Sequence, residues 1–149
     1  MSKRSRKEGN KVASLIKANK AEFYIADVDL KDNSEDVLSS VETITKTLGK
    51  HKAAFMILSA GTKVITVLTY VPDEIKSKLD HEKWIKKSTI GLPEGTYDNY
   101  NNYTRFVTEA PTPFKLIDMV RANGFAYLNK MGCLGDEESS EEFIGFDDL

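Results

Sequence analysis

The chain has 149 residues, of which 40% are apolar and 30% are charged, and its formal net charge is −2. This size and composition fit one globular domain with extensions, and no apolar run approaches the roughly 20 residues of a membrane-spanning helix. No apolar region of a signal peptide follows the basic N-terminus, so a cytoplasmic location is the default expectation. The single cysteine, Cys133, excludes an internal disulfide, and we interpret it as a small apolar residue.

Charge is distributed unevenly along the chain. Residues 1–20 hold seven basic side chains and one acid, whereas residues 136–149 hold seven acids and no base. We therefore predict a basic N-terminal helix or linker over residues 1–20, a globular domain over residues 21–131 and an acidic disordered tail over residues 132–149. With the charges separated in this way, we expect a polyanion to be attracted by a local basic patch and not by the net charge of the whole molecule.

The first half of the domain has the pattern of a β-α-β unit followed by a hairpin. Residues 22–28 mix aromatic and β-branched side chains and predict a strand. Residues 33–49 predict an amphipathic helix, with acids in its first turn and glycine at its end. Residues 53–59 and 63–71 predict two strands joined by the short loop "AGT". Because the second strand is apolar throughout, we expect a small mixed α/β sheet that helices pack against on both faces.

The stretch "KLDHEKWIKKS" over residues 78–88 contains the only tryptophan and a His-Glu pair that looks like half a metalloprotease motif. A zincin site needs a second histidine four residues after His81, and Ile85 occupies that position, so the metal interpretation fails. We predict instead a helix with Asp80 as N-cap. Its buried side consists of Ile75, Leu79, Trp84 and Ile85. The outward side holds lysines, which form either a solvated surface or a polyanion-binding patch. These are Lys76, Lys78, Lys83, Lys86 and Lys87.

Residues 91–113 are rich in Gly, Pro, Asn and Tyr and predict a long loop with a short strand at residues 104–107. Tyr97, Tyr100 and Tyr103 either stack on unpaired bases or pack back on the domain, and the sequence leaves both interpretations open.

A final helix is predicted over residues 114–130, with Phe114, Ile117, Val120 and Leu128 on one face. The acidic tail beyond it carries apolar residues in a pattern typical of segments that bind protein partners. The tail residues predicted to bind a partner are Phe143, Ile144, Phe146 and Leu149.

The order of these segments resembles the C-terminal domain of alanyl-tRNA synthetases, often called C-Ala, especially its eukaryotic form. The resemblance covers residues 3–130 and depends on "EFYIADVDL", "AAFMILS", "KVITVLTYVP", "KLDHEKWI" and "DMVRANGFAYL". It implies an accessory domain, itself without catalytic residues, cofactor or metal, that binds tRNA near its elbow and assists aminoacylation and editing. It also implies a second copy of the chain as a partner in some lineages. If the chain is a fragment, it is part of an alanine-tRNA ligase.

One segment differs from the family. Where family members carry a glycine-rich stretch that ends in a cation, this chain has "GLPEGTYDNYNNYTR", which keeps Gly91 and Gly95 and places Glu94 between them. The residues predicted to bind RNA are Lys76, Lys78, Lys83, Lys86, Lys87, Gly91, Gly95 and Arg105. The alternative is a C-Ala-derived protein-interaction module that has lost the glycine-rich RNA loop and binds a protein partner through its acidic tail.

Overall fold

The computed structural model describes residues 2–134, in which a mixed β-sheet is packed by α-helices. The strands in this part of the chain are β1 (Phe23–Asp27), β2 (Ala54–Ala60), β3 (Val64–Tyr70), β4 (Thr96–Asn99) and β5 (Tyr103–Glu109). The helices are α1 (Lys3–Ala18), α2 (Ser34–Leu48), α3 (His81–Ser88) and α4 (Pro113–Lys130). The predicted α/β class is confirmed.

The five strands form one sheet in the order β1-β2-β3-β5-β4. β1 and β2 are parallel and connected through α2, which confirms the predicted β-α-β unit. β2 pairs antiparallel with β3, as predicted for the hairpin, and β3 and β4 both pair antiparallel with β5. β2 lies inside the sheet, and its residues from Ala54 to Ser59 are all buried, as its continuous apolar run predicts.

Alternation along the strands divides the core into two layers. Phe55, Ile57 and Leu68 belong to the layer that α1 and α2 cover. Met56, Leu58 and Val67 point to the opposite face and pack with residues of α3 and α4. Helices therefore lie on both faces of the sheet, and α1 and α3 lie on opposite ones.

The predicted N-terminal helix forms, and one of its faces is buried. Val12, Ala13 and Ile16 are 1%, 0% and 0% exposed and pack in the same cluster as the apolar face of α2. Ser2 caps the helix, because its side chain accepts a hydrogen bond from the Ser5 N–H at 3.0 Å. A linker would leave this face in water, whereas residues 3–18 contribute to the core of the domain.

The prediction of a long loop over residues 91–113 is wrong, because most of this segment is the β4–β5 hairpin. β4 is an edge strand in which Thr96, Tyr97 and Asn99 are exposed. Without a buried face, the strand has no apolar alternation for the sequence to reveal. β5 is also longer than the predicted strand, at 7 residues.

The predicted apolar face of the last helix is correct at two positions and wrong at one. Val120 and Leu128 are fully buried, and Ile117 packs at the margin of the core. Phe114 is 65% exposed, and Pro113 takes the buried position in this first turn of α4. Among the helices that the structure describes, none has the length and apolar character to cross a membrane.

Candidate nucleic-acid interface

The α3 helix is anchored from its inner side. Trp84 is fully buried, and its indole N–H donates to the Gly124 carbonyl of α4 at 3.2 Å. Ile75, Leu79 and Ile85 are also at most 3% exposed, so the predicted buried side is confirmed. At the helix start, the Asp80 carboxylate accepts from the Lys83 N–H at 3.3 Å, as an N-cap does. These contacts fix the direction of the outward side chains.

The outward side of α3 carries Lys83, Lys86 and Lys87, which we call the α3 lysine face. All three side chains are exposed, and their spacing of three and four residues places them on one side of the helix. Within residues 2–134, none of the three forms an ion pair. Lys76 and Lys78 differ, because Lys76 pairs with Asp73 at 3.0 Å and Lys78 with Glu22 at 3.6 Å. The structure thus groups three of the five predicted lysines as unpaired cations.

Tyr97 borders the α3 lysine face from the edge strand β4. The Lys86 ammonium lies 5.7 Å from the centre of its ring, within the range of a cation–π contact. Its hydroxyl lies 2.7 Å from the Thr89 hydroxyl just after α3, and its ring packs on Phe106 at 4.5 Å. The side chain is still 37% exposed. Tyr97 therefore packs on the domain and also presents an aromatic edge next to three cations.

Tyr100 and Tyr103 do not join this surface. Their rings stack on each other at 4.7 Å, and Tyr103 lies 6.3 Å from Tyr70 in the layer that contains α1 and α2. For these two tyrosines the structure shows packing on the domain. Only Tyr97, among the three predicted tyrosines, stands beside the α3 lysine face.

Arg105 must be removed from the predicted phosphate contacts. Its side chain is 10% exposed and points to the α2 side of the sheet, where it donates to Asp98 at 2.7 Å and to Glu35 at 3.0 Å. Burial lowers the pKa of Arg105, but the hydrogen bonds and charges of Asp98 and Glu35 outweigh burial and hold the pKa above its ordinary value. The guanidinium is thus a cation that two carboxylates already neutralise.

Gly91 and Gly95 have local roles in the path of the chain. Gly91 follows α3 with φ 98°, a left-handed conformation that favours glycine. At Gly95 a side chain would not fit, because a Cβ would lie 2.3 Å from the Val107 carbonyl oxygen across the hairpin. These requirements explain both glycines without a ligand, and their participation in RNA binding stays a prediction.

His81 is part of the frame that holds α3. It is 7% exposed, its Nδ1 lies 2.8 Å from the Thr104 hydroxyl of β5, and its carbonyl accepts from the Thr69 hydroxyl of β3 at 2.8 Å. Across residues 2–134, no three His, Cys, Asp or Glu side chains are grouped so as to hold a metal ion. His81 therefore holds α3 against the sheet through its hydrogen bonds.

Sequence reasoning missed the pairing of Tyr97 with Thr89 and Lys86. The sequence gives only a weak signal of this contact, which is that Lys86 and Thr89 lie three residues apart at the end of the same helical region. Nothing in the sequence shows that an edge strand lies next to them. The predicted tail residues Phe143, Ile144, Phe146 and Leu149 lie outside the residues that the structure describes.

No protein-family model matches this chain, and no curated protein matches it.

Proposed function

We propose that this chain is a cytoplasmic, non-catalytic accessory domain of the alanyl-tRNA synthetase C-terminal type, and that it binds tRNA through the α3 lysine face. One observation carries the proposal: three exposed lysines without ion pairs in the described residues project from a rigid helix beside an exposed tyrosine. If the chain is a piece of a longer ligase, catalysis belongs to the remainder.

The charge of this surface is only partly compensated locally. The two acids of the helix region, Asp80 and Glu82, form no ion pair with the face, because Asp80 caps the helix and Glu82 accepts from the Asn99 amide at 3.1 Å. Like charges three and four residues apart on a helix destabilise it by about 0.2–0.5 kcal/mol per pair. A bound phosphate backbone relieves this repulsion. The arrangement therefore favours a ligand with several closely spaced negative charges.

Tyr97 offers an unpaired base a contact that a purely anionic polymer cannot use. Its ring packs on Phe106 and the Lys86 ammonium lies over it, so a base that stacks on the ring displaces that ammonium. Such stacking contributes about 1–3 kcal/mol, and unpaired loops are where proteins most often read RNA. A folded tRNA offers phosphates and unpaired loop bases close together. The α3 lysine face and Tyr97 supply a contact for each.

Three phosphate contacts predict weak, salt-dependent binding. Each contact contributes about −0.7 to −0.9 to the slope of log affinity against log salt, so three give a slope of about −2 to −3. Between 50 and 200 mM salt, the contribution of the α3 lysine face alone should lower the affinity by about 15- to 65-fold.

The test is a fluorescence-anisotropy titration of a labelled, folded tRNA at these two salt concentrations. The test variant carries Lys83→Glu, Lys86→Glu and Lys87→Glu. A matched control carries Lys50→Glu, Lys52→Glu and Lys63→Glu, three exposed lysines that lie outside α3 and give the same change in net charge. We expect the first variant to bind more weakly than the wild type at both salt concentrations and the control to keep most of the wild-type affinity.

Two outcomes contradict the proposal. An equal loss in both triple variants would mean that net charge, and not the α3 lysine face, governs binding. An absence of wild-type binding at the lower salt concentration would exclude the tRNA function and favour the alternative, a protein-interaction module that acts through the acidic tail.

A further inference from the structure

The buried face of α1 fixes the direction of its basic side chains. Val12, Ala13 and Ile16 face the core, so the residues on the other side of the helix must point to solvent. Exposed basic residues occupy that side over the first three turns. We call Lys3, Arg6, Lys7 and Lys11 the α1 basic stripe. At a rise of about 1.5 Å per residue, the stripe extends over about 12 Å.

The α1 basic stripe has no acidic partner in residues 2–134. The one acid of α1, Glu8, is 6% exposed, and its carboxylate accepts from the Asp29 N–H at 2.9 Å. Asp29 itself pairs with Arg4 at 3.2 Å and with Lys31 at 3.9 Å. The four cations of the stripe therefore form no ion pair in the described residues, although Lys11 lines a surface pocket together with Glu8 and Asp29.

Repulsion along the stripe opposes helix formation. Lys3, Lys7 and Lys11 repel one another at spacings of four residues, and the first turn of α1 itself contains no acid. The acid at the positive end of α1 comes from α2, because the Asp36 carboxylate accepts from the hydroxyl of the N-cap Ser2 at 2.9 Å. The dipole of α1 is thus compensated at its start, whereas the repulsion along the stripe is a local cost of the kind expected at functional positions.

Insertion of α1 into a membrane does not explain the stripe. An amphipathic helix binds a bilayer by inserting its apolar face, but that face of α1 is buried against the core. The exposed large apolar side chain of α1 is Leu15, at 41%. What remains is an electrostatic surface with a fixed line of cations, which suits a phosphodiester backbone.

We infer that the α1 basic stripe is a second nucleic-acid-binding surface, which takes a phosphate backbone on the face of the sheet opposite the α3 lysine face. The inference rests on the proposed function in its choice of ligand, since both surfaces would contact RNA. Because α1 and α3 lie on opposite sides of the sheet, the two surfaces contact different backbone segments. Their contributions to the salt dependence should then add.

The test compares four full-length proteins against the same labelled tRNA over a series of salt concentrations. They are the wild type, a variant with Lys3→Glu, Lys7→Glu and Lys11→Glu, the Lys83/Lys86/Lys87 reversal, and the combination of both reversals. Lys3→Glu in the first turn of α1 agrees with the helix dipole, and circular dichroism checks that the α1 variant is folded.

We expect the α1 variant to bind more weakly and its salt slope to be shallower by about 2 to 3, as three lost phosphate contacts predict. The combined variant should lose both contributions. A wild-type affinity and slope in the α1 variant would overturn the inference, and if the α3 reversal still weakens binding, the proposed function stands. A loss in the α1 variant with none in the α3 variant would support the stripe and reject the α3 site.

Discussion

Replacing Arg105 with alanine tests whether this residue is a structural ion pair or an RNA contact. The guanidinium donates to Asp98 at 2.7 Å, to Glu35 at 3.0 Å and to the Ser34 carbonyl at 3.1 Å, and so joins β5 to β4 and to the start of α2. Hydrogen bonds to charged groups contribute about 1.5–3 kcal/mol each when they are shielded from water. Each contact must be discounted for the exposure of its partner.

Glu35 is 75% exposed, so its pair contributes well under about 1 kcal/mol. Asp98 is 36% exposed and makes the shorter contact, so its pair with Arg105 contributes about 1–2 kcal/mol to stability. The packing of the arginine stem adds about 1 kcal/mol. Because both carboxylates can reach water after truncation, the larger penalty of a buried unpaired charge does not apply. We expect Arg105→Ala to lower the free energy of unfolding by about 2–3 kcal/mol.

Urea unfolding, followed by the fluorescence of Trp84, measures this loss. Arg105→Met retains an apolar stem and should be about 1 kcal/mol more stable than Arg105→Ala. At about 2–4 °C per kcal/mol, the midpoint of thermal unfolding should fall by about 5–10 °C in the alanine variant. At a temperature where it is folded, that variant should bind tRNA with wild-type affinity, because Arg105 lies away from the α3 lysine face.

A double-mutant cycle with Asp98→Ala gives the coupling between the two side chains. A coupling near zero, or an alanine variant as stable as the wild type, would refute the structural role. Reduced tRNA affinity in the folded variant would instead return Arg105 to the phosphate contacts.

Three further predictions follow from buried or hydrogen-bonded groups. Trp84→Ala should cost about 3–5 kcal/mol of stability in a denaturant titration, because a fully buried aromatic is removed; a loss below about 1 kcal/mol would contradict its anchoring role. Burial raises the pKa of the Cys133 thiol, so alkylation followed by mass spectrometry should be slow in the native protein at pH 7 and fast in urea; equal rates would contradict its burial. Hydrogen bonds from Lys76 and Asn102 lower the pKa of Asp73, so its stabilising effect is present above the unfolded value of about 3.9 and is lost as the pH falls through the folded value. Asp73→Asn should therefore be less stable than the wild type at pH 7, and the difference should disappear at low pH, as urea titrations at both pH values would show.

The parts of the fold that the sequence predicts well have strong local signals. The helix predicted over residues 33–49 is α2, with Glu35 and Asp36 in its first turn and Gly49 at its end, and the Asn33 side chain caps it by accepting from the Asp36 N–H at 3.1 Å. β2 follows from its unbroken apolar run. The outward direction of Lys83, Lys86 and Lys87 follows from the buried position of Trp84 in the same helix. In each case neighbouring residues contain the information.

The parts that the sequence did not predict depend on partners far along the chain. The Arg105–Glu35 contact joins residues separated by 70 positions, so a pattern of local charges shows Arg105 as a free cation. The ion pair of Lys78 is equally hidden from the sequence, because its partner Glu22 belongs to the segment before β1. β4 was missed for a different reason: its exposed residues give no apolar periodicity, and its place in the sheet comes from pairing with β5.

Lysine footprinting of the full chain with and without folded tRNA shows whether the α3 lysine face is the surface that contacts RNA. A small amine-acylating reagent modifies exposed lysines, and mass spectrometry gives the rate at each position. We predict that tRNA slows the modification of Lys83, Lys86 and Lys87, whereas Lys50 and Lys52 react at unchanged rates. Equal rates at Lys83, Lys86 and Lys87 with and without tRNA, under conditions where tRNA is bound, would contradict the assignment of the α3 lysine face as the RNA-binding surface.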